Sequence, residues 1–286
     1  MPPVSIVTIV GAGALGAAMA TRLGETGHAV RLWNRTPERA RAAADQGTGI
    51  TAVDSLSAAL AGSSVVITVL RDGDSVAEVM TDGIAELDRG TVWVQASTVG
   101  PVAARALADL AAQHHVPFID APVSGSTAPA RQGTLVWLVA GETETLAGVR
   151  PILDALGSSV LHVGTGVEGS SLKVVVNAWM TAATVAMSDA LALCDGLHLD
   201  HATFAEALEA GPLAMPYALQ KLRLMDERAF EPGFAVNLAL KDVDLAQTSV
   251  GLSPLMQAVR DRLAITVEAG HGDQDLAAVD ILRGMA

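Results

Sequence analysis

Lys173 is the only Lys or Arg between Arg150 and Lys221, and it stands at the head of a long apolar run with Asn177 four residues on. Taking an ammonium out of water costs several kcal/mol unless it is paired, reaches solvent along its stem or is put to use. Burial also lowers a lysine pKa toward the range where it can exchange a proton near neutrality. Positions i and i+4 of a helix share a face, so Lys173 and Asn177 can address one substrate oxygen together. The chemistry suggested is acid/base catalysis at an oxygen, with Lys173 moving the proton and Asn177 orienting the reacting group. The plain alternative is a lysine snorkelling at a helix N-terminus, and the rest of the chain weighs between the two.

A second motif supplies what such a pair would act with. Val4-Ser5-Ile6-Val7-Thr8-Ile9-Val10 is a β-branched strand run, and Gly11-Ala12-Gly13-Ala14-Leu15-Gly16 follows at once. A lone G-x-G-x-x-G is weak, but this one follows a strand, opens a helix over 15–25 and leads into a second strand over 29–33, the setting of a dinucleotide-binding turn. Gly11 permits the turn, Gly13 lets the backbone approach a pyrophosphate, and Gly16 lets helix and strand pack closely. Ala14 and Leu15 begin the helix whose N-terminus would receive the phosphates. At the end of the second strand the chain reads Asn34-Arg35-Thr36, with no carboxylate to hold a ribose hydroxyl. Arg35 offers planar, charge-assisted donors to a 2′-phosphate, and Asn34 and Thr36 add neutral ones, so NADP(H) is expected over NAD(H).

Composition bounds the remaining classes. With 286 residues, half of them apolar, the chain exceeds one ordinary α/β domain and can bury a large core. A net charge of −13 leaves no basic field for nucleic acid or an anionic membrane, and neither partner is expected. Cys194 is the single cysteine, so no intrachain disulfide can form, which fits a reducing cytoplasm. The first apolar run lacks a basic leader segment, so no secretory signal is expected there. The apolar stretch over 174–187 is interrupted by Asn177 and falls short of the roughly 20 residues of a membrane span. The seven histidines are scattered; His198 and His201 read as solvated surface, and no metal site is expected.

Up to about residue 163, strand runs over 65–70, 92–95, 118–120, 134–140 and 160–163 alternate with Ala-rich amphipathic segments. That pattern means an α/β fold with a doubly wound, largely parallel Rossmann-type sheet. After Gly164-Thr165-Gly166 everything reads as helix, over 168–195, 202–210, 215–227, 236–249, 254–269 and 274–283. The expected division is therefore a nucleotide-binding domain over 1–164 and an all-α substrate and dimerisation domain over 165–286, begun by a long helix. That helix is apolar nearly all round and must be covered on several sides, which points to a homodimer.

Three further stretches complete the pattern: Asp120-Ala121-Pro122-Val123-Ser124-Gly125, Gly169 through Lys173 to Asn177, and Phe234 followed seven residues later by Lys241-Asp242. With the opening glycine motif they make the whole chain resemble the β-hydroxyacid dehydrogenase family. The resemblance implies that Lys173 is the general acid/base and Asn177 its hydrogen-bonding partner. It implies that Ser124 and Gly125 receive a substrate carboxylate, and that Lys241 lies near nicotinamide and substrate with Asp242 in support. Thr98 of Ser97-Thr98 would lie by the nicotinamide, and Leu70 and Arg71 would cover the cofactor. Five positions depart from the usual pattern: Ser126 and Val167 replace glycines, Arg71 a proline, Gln95 an acid and Val176 an asparagine.

The expectation is an NADP(H)-dependent dehydrogenase acting on a small β-hydroxyacid, semialdehyde or keto acid that carries a carboxylate. An imine reductase shares this fold and cofactor use but typically has an aspartate or tyrosine in place of Lys173. A non-catalytic NADP(H)-binding sensor would need Gly11, Gly13, Gly16 and Arg35 but not Lys173, Asn177 and Ser124 together.

Overall fold

The computed structural model describes residues 6–283, so Val4 and Ser5 of the first predicted strand lie outside it. The chain divides into two compact units, Met1–Lys173 and Val174–Ala286.

The first unit alternates strand and helix: β1 (Ile6–Val10), α1 (Ala14–Glu25), β2 (Ala29–Trp33), α2 (Pro37–Gln46), β3 (Ile50–Ala52), α3 (Leu56–Leu60), β4 (Val65–Thr68) and α4 (Gly73–Gly83). There follow β5 (Val92–Gln95), α5 (Gly100–Gln113), β6 (Phe118–Asp120), β7 (Val123–Ser124), α6 (Thr127–Gln132), β8 (Leu135–Ala140), α7 (Thr143–Leu156) and β9 (Gly157–Gly164). The sheet order is β3-β2-β1-β4-β5-β6-β8-β7, with β9 also paired to β8. From β3 through β6 every neighbour is parallel. The strand order reverses beside β1, which makes the end of β1 the switch point where such sheets bind ligands.

Buried parallel strands read as continuous apolar runs, and β1 and β4 do so, with Val7, Ile9, Val65 and Ile67 in the core. The departures from expectation lie at the far side of the sheet. β8 runs antiparallel to β6 and β7 and parallel to β9. Two short strands, β3 and β7, of three and two residues, go unpredicted.

The second unit is helical: the continuation of α8 (Glu168–Gly196), then α9 (His201–Glu209), α10 (Pro216–Asp226), α11 (Val236–Val250) and α12 (Pro254–Thr266). Its core is built on Leu191, Met225, Val236, Val243, Leu263 and Leu276. A single helix expected over 274–283 is instead a 3-10 segment, Leu276–Leu282, started by Asp275, which accepts from the Ala277 N–H at 2.9 Å. Before it, Gly270 at φ 90° interrupts a wide helical turn, Val267–His271, from within.

α8 is longer than its apolar stretch suggested, and at 29 residues it is long and apolar enough by composition to cross a membrane. Its buried face nevertheless carries polar groups: Thr181, Thr184 and Ser188 are all buried, and Ser188 Oγ donates to Asp280 Oδ1 at 2.9 Å. Ser188 is thus satisfied from elsewhere in the same unit and Thr184 within α8, where its Oγ donates to the Met180 carbonyl at 3.0 Å, as befits buried polar groups of a core helix. Cys194 on this helix is a free, buried thiol. His201 corrects an expectation: its ring is not simply solvated but lies 2.7 Å from Asp226 Oδ1 and 3.0 Å from Asp195 Oδ1. Burial pushes the His201 pKa down, but the hydrogen bond and charge of Asp226 and the charge of Asp195 outweigh it, leaving the pKa raised. Among the described residues, no group of His, Cys, Asp and Glu is arranged to hold a metal ion.

Candidate active site

The glycine turn is built as its spacing requires. Gly11 takes φ +120°, and a Cβ there would stand 2.2 Å from the Val69 carbonyl oxygen; one on Gly16 would stand 2.0 Å from the Gly11 carbonyl oxygen. Neither position can carry a side chain without displacing the main chain. A Cβ on Gly13 would meet nothing within 4 Å, so the backbone presents an open face there. Gly13 caps α1 with no side-chain hydrogen bond, which leaves the N–H groups of the Ala14 and Leu15 turn to an anionic ligand. These features fit a dinucleotide pyrophosphate.

Asn34 is engaged in holding this turn: its Oδ1 accepts from the Ala12 N–H at 3.0 Å and its Nδ2 donates to the Thr36 carbonyl at 3.0 Å. Arg35 and Thr36 are exposed. The Arg35 guanidinium lies 3.5 Å from Glu78 Oε2 on α4. Both line a cleft of about 350 Å³ with Trp33, Val79, Asp82 and Glu86. The cleft thus has a cation on one wall and carboxylates on the other.

At the ends of β4 and β5 a buried clasp sets the backbone. Ser97 Oγ accepts from the Leu70 N–H at 2.9 Å and donates to the Thr68 carbonyl at 3.2 Å. Gln95 accepts from the Ser97 N–H at 2.7 Å and donates to the Ser97 carbonyl at 2.9 Å. A carboxylate accepts only, so the amide explains why glutamine serves where the family usually has an acid. Thr98 is half-buried beside this clasp. Arg71 is exposed, 3.9 Å from Asp72, whose carboxylate caps α4 through Ser75.

Ser124 ends β7, paired with Val136 of β8, and Gly125 follows at φ +129°. A Cβ on Gly125 would come within 2.8 Å of Leu135, so both space and backbone demand glycine. Ser126 caps α6 without a side-chain hydrogen bond. Val167, at another departure from the family pattern, is buried in an apolar cluster with Val76 and Trp93. Nothing in the structure explains Val176.

Asp120, at the head of the same segment, has a role that spacing did not reveal. It is fully buried, and its carboxylate accepts from the Ser170 N–H at 2.7 Å and from the Ser170 hydroxyl at 2.6 Å. Burial pushes its pKa up to about 6, against the pull of the two Ser170 bonds and with a further push from Glu168. Lys173, three residues beyond Ser170, is 8% exposed.

Asn177 is 2% exposed, and its Nδ2 donates to Asp242 Oδ2. The other Asp242 oxygen lies 2.7 Å from Lys241 Nζ. Asp242 thus fixes the orientation of the Asn177 amide, turning one N–H toward itself, while Lys241 balances its charge. The chain holds three lysines in all, Lys173, Lys221 and Lys241. Lys221 is buried at 2.5 Å from Asp275.

The first unit is thus a dinucleotide-binding α/β domain of the doubly wound class, and the helical unit carries a buried Asn177–Asp242 pair with the partly exposed Lys241 against it. Residues 6–164 match the family described as the NAD binding domain of 6-phosphogluconate dehydrogenase. Residues 167–282 match the NAD-binding domain of NADP-dependent 3-hydroxyisobutyrate dehydrogenase. A Mycobacterium tuberculosis protein described as a probable 3-hydroxyisobutyrate dehydrogenase is 30% identical over 96% of both chains. The NAD-dependent L-serine dehydrogenase of Pseudomonas aeruginosa is 28% identical over 96% of this chain and 97% of its own. A solved structure of Mycobacterium tuberculosis 3-hydroxyisobutyrate dehydrogenase with L-serine superposes with a TM-score of 0.89 at 28% identity, covering 98% of this chain and 99% of the other. The chain belongs to the β-hydroxyacid dehydrogenase family, whose members are nicotinamide-dinucleotide-binding oxidoreductases.

Proposed function

We propose that this chain is an NADP(H)-dependent oxidoreductase in which bound NADPH gives its C4 hydride to the carbonyl carbon of a small semialdehyde or keto acid, the reverse path oxidising a β-hydroxyacid. The Lys173 ammonium gives its proton to the oxygen that becomes the hydroxyl, and takes it back in the reverse direction. Asn177, its amide set by Asp242, holds that oxygen in line. Ser124 and the Gly125 N–H receive the substrate carboxylate, and Lys241 adds a cation for substrate and cofactor.

The observation that carries this reading is the burial of Lys173 and Asn177 on one helix, in a chain of this family. The named relatives support the substrate class, since 3-hydroxyisobutyrate and L-serine both bear a hydroxymethyl group next to the carbon that carries the carboxylate. A reductive aminase from Aspergillus terreus also superposes, with a TM-score of 0.65 at 25% identity, so imine reduction is the second reading. Lys173 argues against it, because an ammonium donor suits an alkoxide. For the assembly we infer a homodimer, supported by the exposed Val175, Trp179 and Leu193 on α8 and Leu197 just after it. Residence in the cytoplasm, with neither nucleic acid nor membrane as partner, is part of the same proposal and rests on the acidic composition and single cysteine.

The test is NADPH oxidation against small semialdehydes and keto acids, each paired with its carboxamide, and against cyclic imines. Turnover of acids and not amides is expected; turnover of imines alone overturns the reading. The cofactor arm is tested by Arg35→Ala, expected to weaken NADPH about tenfold or more and NADH little, from the worth of a charged hydrogen bond. An unmoved NADPH/NADH ratio removes Arg35 from 2′-phosphate recognition.

A further inference from the structure

We infer that Asp120 is a positioning residue for Lys173, holding the first turn of α8 in register with the Ser124-Gly125 segment; this rests on the acid/base role proposed for Lys173. Asp120 stands fifty residues before its partner and touches it twice, through the Ser170 N–H and the Ser170 hydroxyl. The Ser170 N–H is one of the helix-start donors that have no partner within a helix, so the carboxylate closes an end that would otherwise be free to shift.

The contact is tight on both sides. A Cβ on Gly169 would stand 2.3 Å from the Leu138 carbonyl oxygen, 2.8 Å from the Asp120 carbonyl oxygen and 3.1 Å from Asp120 Oδ2. The first turn of α8 is therefore pressed directly onto the end of β6 and the interior of β8. Asp120 itself is pinned in the sheet, opposite Gln95 of β5 and Ala140 of β8. The next residue, Ala121, donates its N–H to the Gln95 carbonyl at 2.8 Å.

From this fixed point two short, stiff paths run to groups assigned to the substrate. In one direction, Ala121 and Pro122 lead through β7 to Ser124 and Gly125, with Pro122 accepting from the Leu138 N–H at 2.9 Å. In the other, three helical residues lead to Lys173, about 4.5 Å along the helix axis at the usual rise. A displacement of Ser170 reaches Lys173 almost undiminished, because a helix turn moves as a body. Misplacing a catalytic group by about 1 Å can cost on the order of a hundredfold in rate. Asp120 has no need to meet the substrate to govern turnover.

The clamp is a matter of geometry, and that makes it separable from charge. In Asp120→Asn the amide oxygen can still accept from the Ser170 N–H, and the amide nitrogen can donate to the Ser170 hydroxyl, which accepts as readily as it donates. In Asp120→Ala both bonds are lost. Ser170→Ala keeps the backbone bond alone.

The experiment measures kcat, KM and NADPH affinity for the full-length parent, Asp120→Ala, Asp120→Asn and Ser170→Ala. Alongside, 13C spectra are recorded of the same proteins labelled at lysine Cε, where three lysines give three assignable signals. Asp120→Ala is expected to lower kcat about thirtyfold or more with KM and NADPH affinity within about threefold, Asp120→Asn to recover most of that, and Ser170→Ala to lie between. The Lys173 Cε signal moves and broadens in Asp120→Ala and returns in Asp120→Asn, while those of Lys221 and Lys241 stay put.

An unchanged kcat in Asp120→Ala overturns the inference, as does an equal loss in Asp120→Asn, which would make the charge the cause. A parallel loss of kcat and NADPH affinity reduces Asp120 to general support of the fold and overturns it as well. If Asp120→Ala does not fold, Ser170→Ala decides, through a fall in kcat at constant NADPH affinity or none. Should the parent turn over no acid, the proposed function fails, and the Lys173 spectra still decide the clamp.

Discussion

The two units place their functional groups by different means. In the first, the main chain does most of the placing: glycines that admit no Cβ, an uncapped helix start, and the Gln95–Ser97 clasp at the strand ends. In the second, buried carboxylates do it: Asp242 holds Asn177 and pairs with Lys241, and Asp275 holds Lys221 together with the Gly233 and Phe234 N–H groups. A sheet end has many backbone groups in fixed register to build with. A helix consumes its own backbone groups, so a helical unit must position side chains with other side chains. Asp120 belongs to the sheet but works in the second way, on a helix start.

The sharpest division between the two is expected at Lys173, where the proposed chemistry is concentrated. Lys173→Ala should lower kcat by about 10²–10⁴-fold, the worth of a positioned acid/base, with NADPH affinity nearly unchanged because the glycine turn is untouched. An equal loss of both, followed by NADPH fluorescence and steady-state rates, would show that the lysine serves the fold of its unit and not the reaction.

The next largest effect tests the claim that buried charge organises the helical unit. Asp275→Asn leaves Lys221, 4% exposed, without its counter-charge. Breaking such a pair costs about 3–5 kcal/mol, whereas replacing both members with apolar or neutral groups is far less damaging. Urea unfolding should therefore show a large drop in midpoint for Asp275→Asn and partial recovery in Lys221→Met/Asp275→Asn. If the double variant is as unstable as the single one, the three backbone bonds to Asp275 matter more than the charge.

The difference between the units also governs what could be read in advance. The turn at Gly11, Gly13 and Gly16, the strand that ends at Trp33 and the helices α8 to α12 were legible because glycine spacing and hydrophobic period are local properties. β3 and β7 were not, and the reversed direction of β8 is set by its neighbours. Lys173 and Asn177 announced themselves as polar residues in an apolar run. Asp120, fifty residues from Ser170, did not; Asp242, sixty-five residues from Asn177, entered only through the family resemblance, and the Lys221–Asp275 pair, fifty-four residues apart, went unread. A carboxylate carries no mark of which distant donor it will meet. The one local hint was the small pair Gly169-Ser170 at a helix start, which permits close approach of another chain segment.

Buried acid on one side and paired histidine on the other give the units separate pH signatures of the same sign. Asp120 has a folded pKa near 6, above the ordinary 3.8, so the folded state binds its proton more tightly than the unfolded one. Its contribution to stability is therefore largest at low pH and is lost as pH rises from 3.8 through 6, by about 3 kcal/mol in all at 1.36 kcal/mol per pKa unit. Asp120→Asn cannot ionise, so its stability relative to the parent should climb across that window and level off above it. A flat difference would mean that Asp120 ionises in the folded protein at an ordinary pH.

His201 should act higher on the scale and more weakly. Its raised pKa means that the imidazolium, held between Asp226 and Asp195, is favoured in the folded state. The contribution is complete below the ordinary histidine value and fades as pH rises through the higher folded value. Asp195 is more than half exposed and Asp226 about one third, so solvent screens the pair and the effect stays near that of a surface ion pair. In His201→Gln the fall in melting temperature between pH 6 and 9 should be shallower than in the parent by about a degree or two, given how little such pairs contribute. Because the Asp120 contribution is already lost by then, the high-pH slope isolates the helical unit. A parent whose slope matches the variant would show that the two carboxylates orient a neutral ring, and that the helical unit carries no titrating pair of its own in this range.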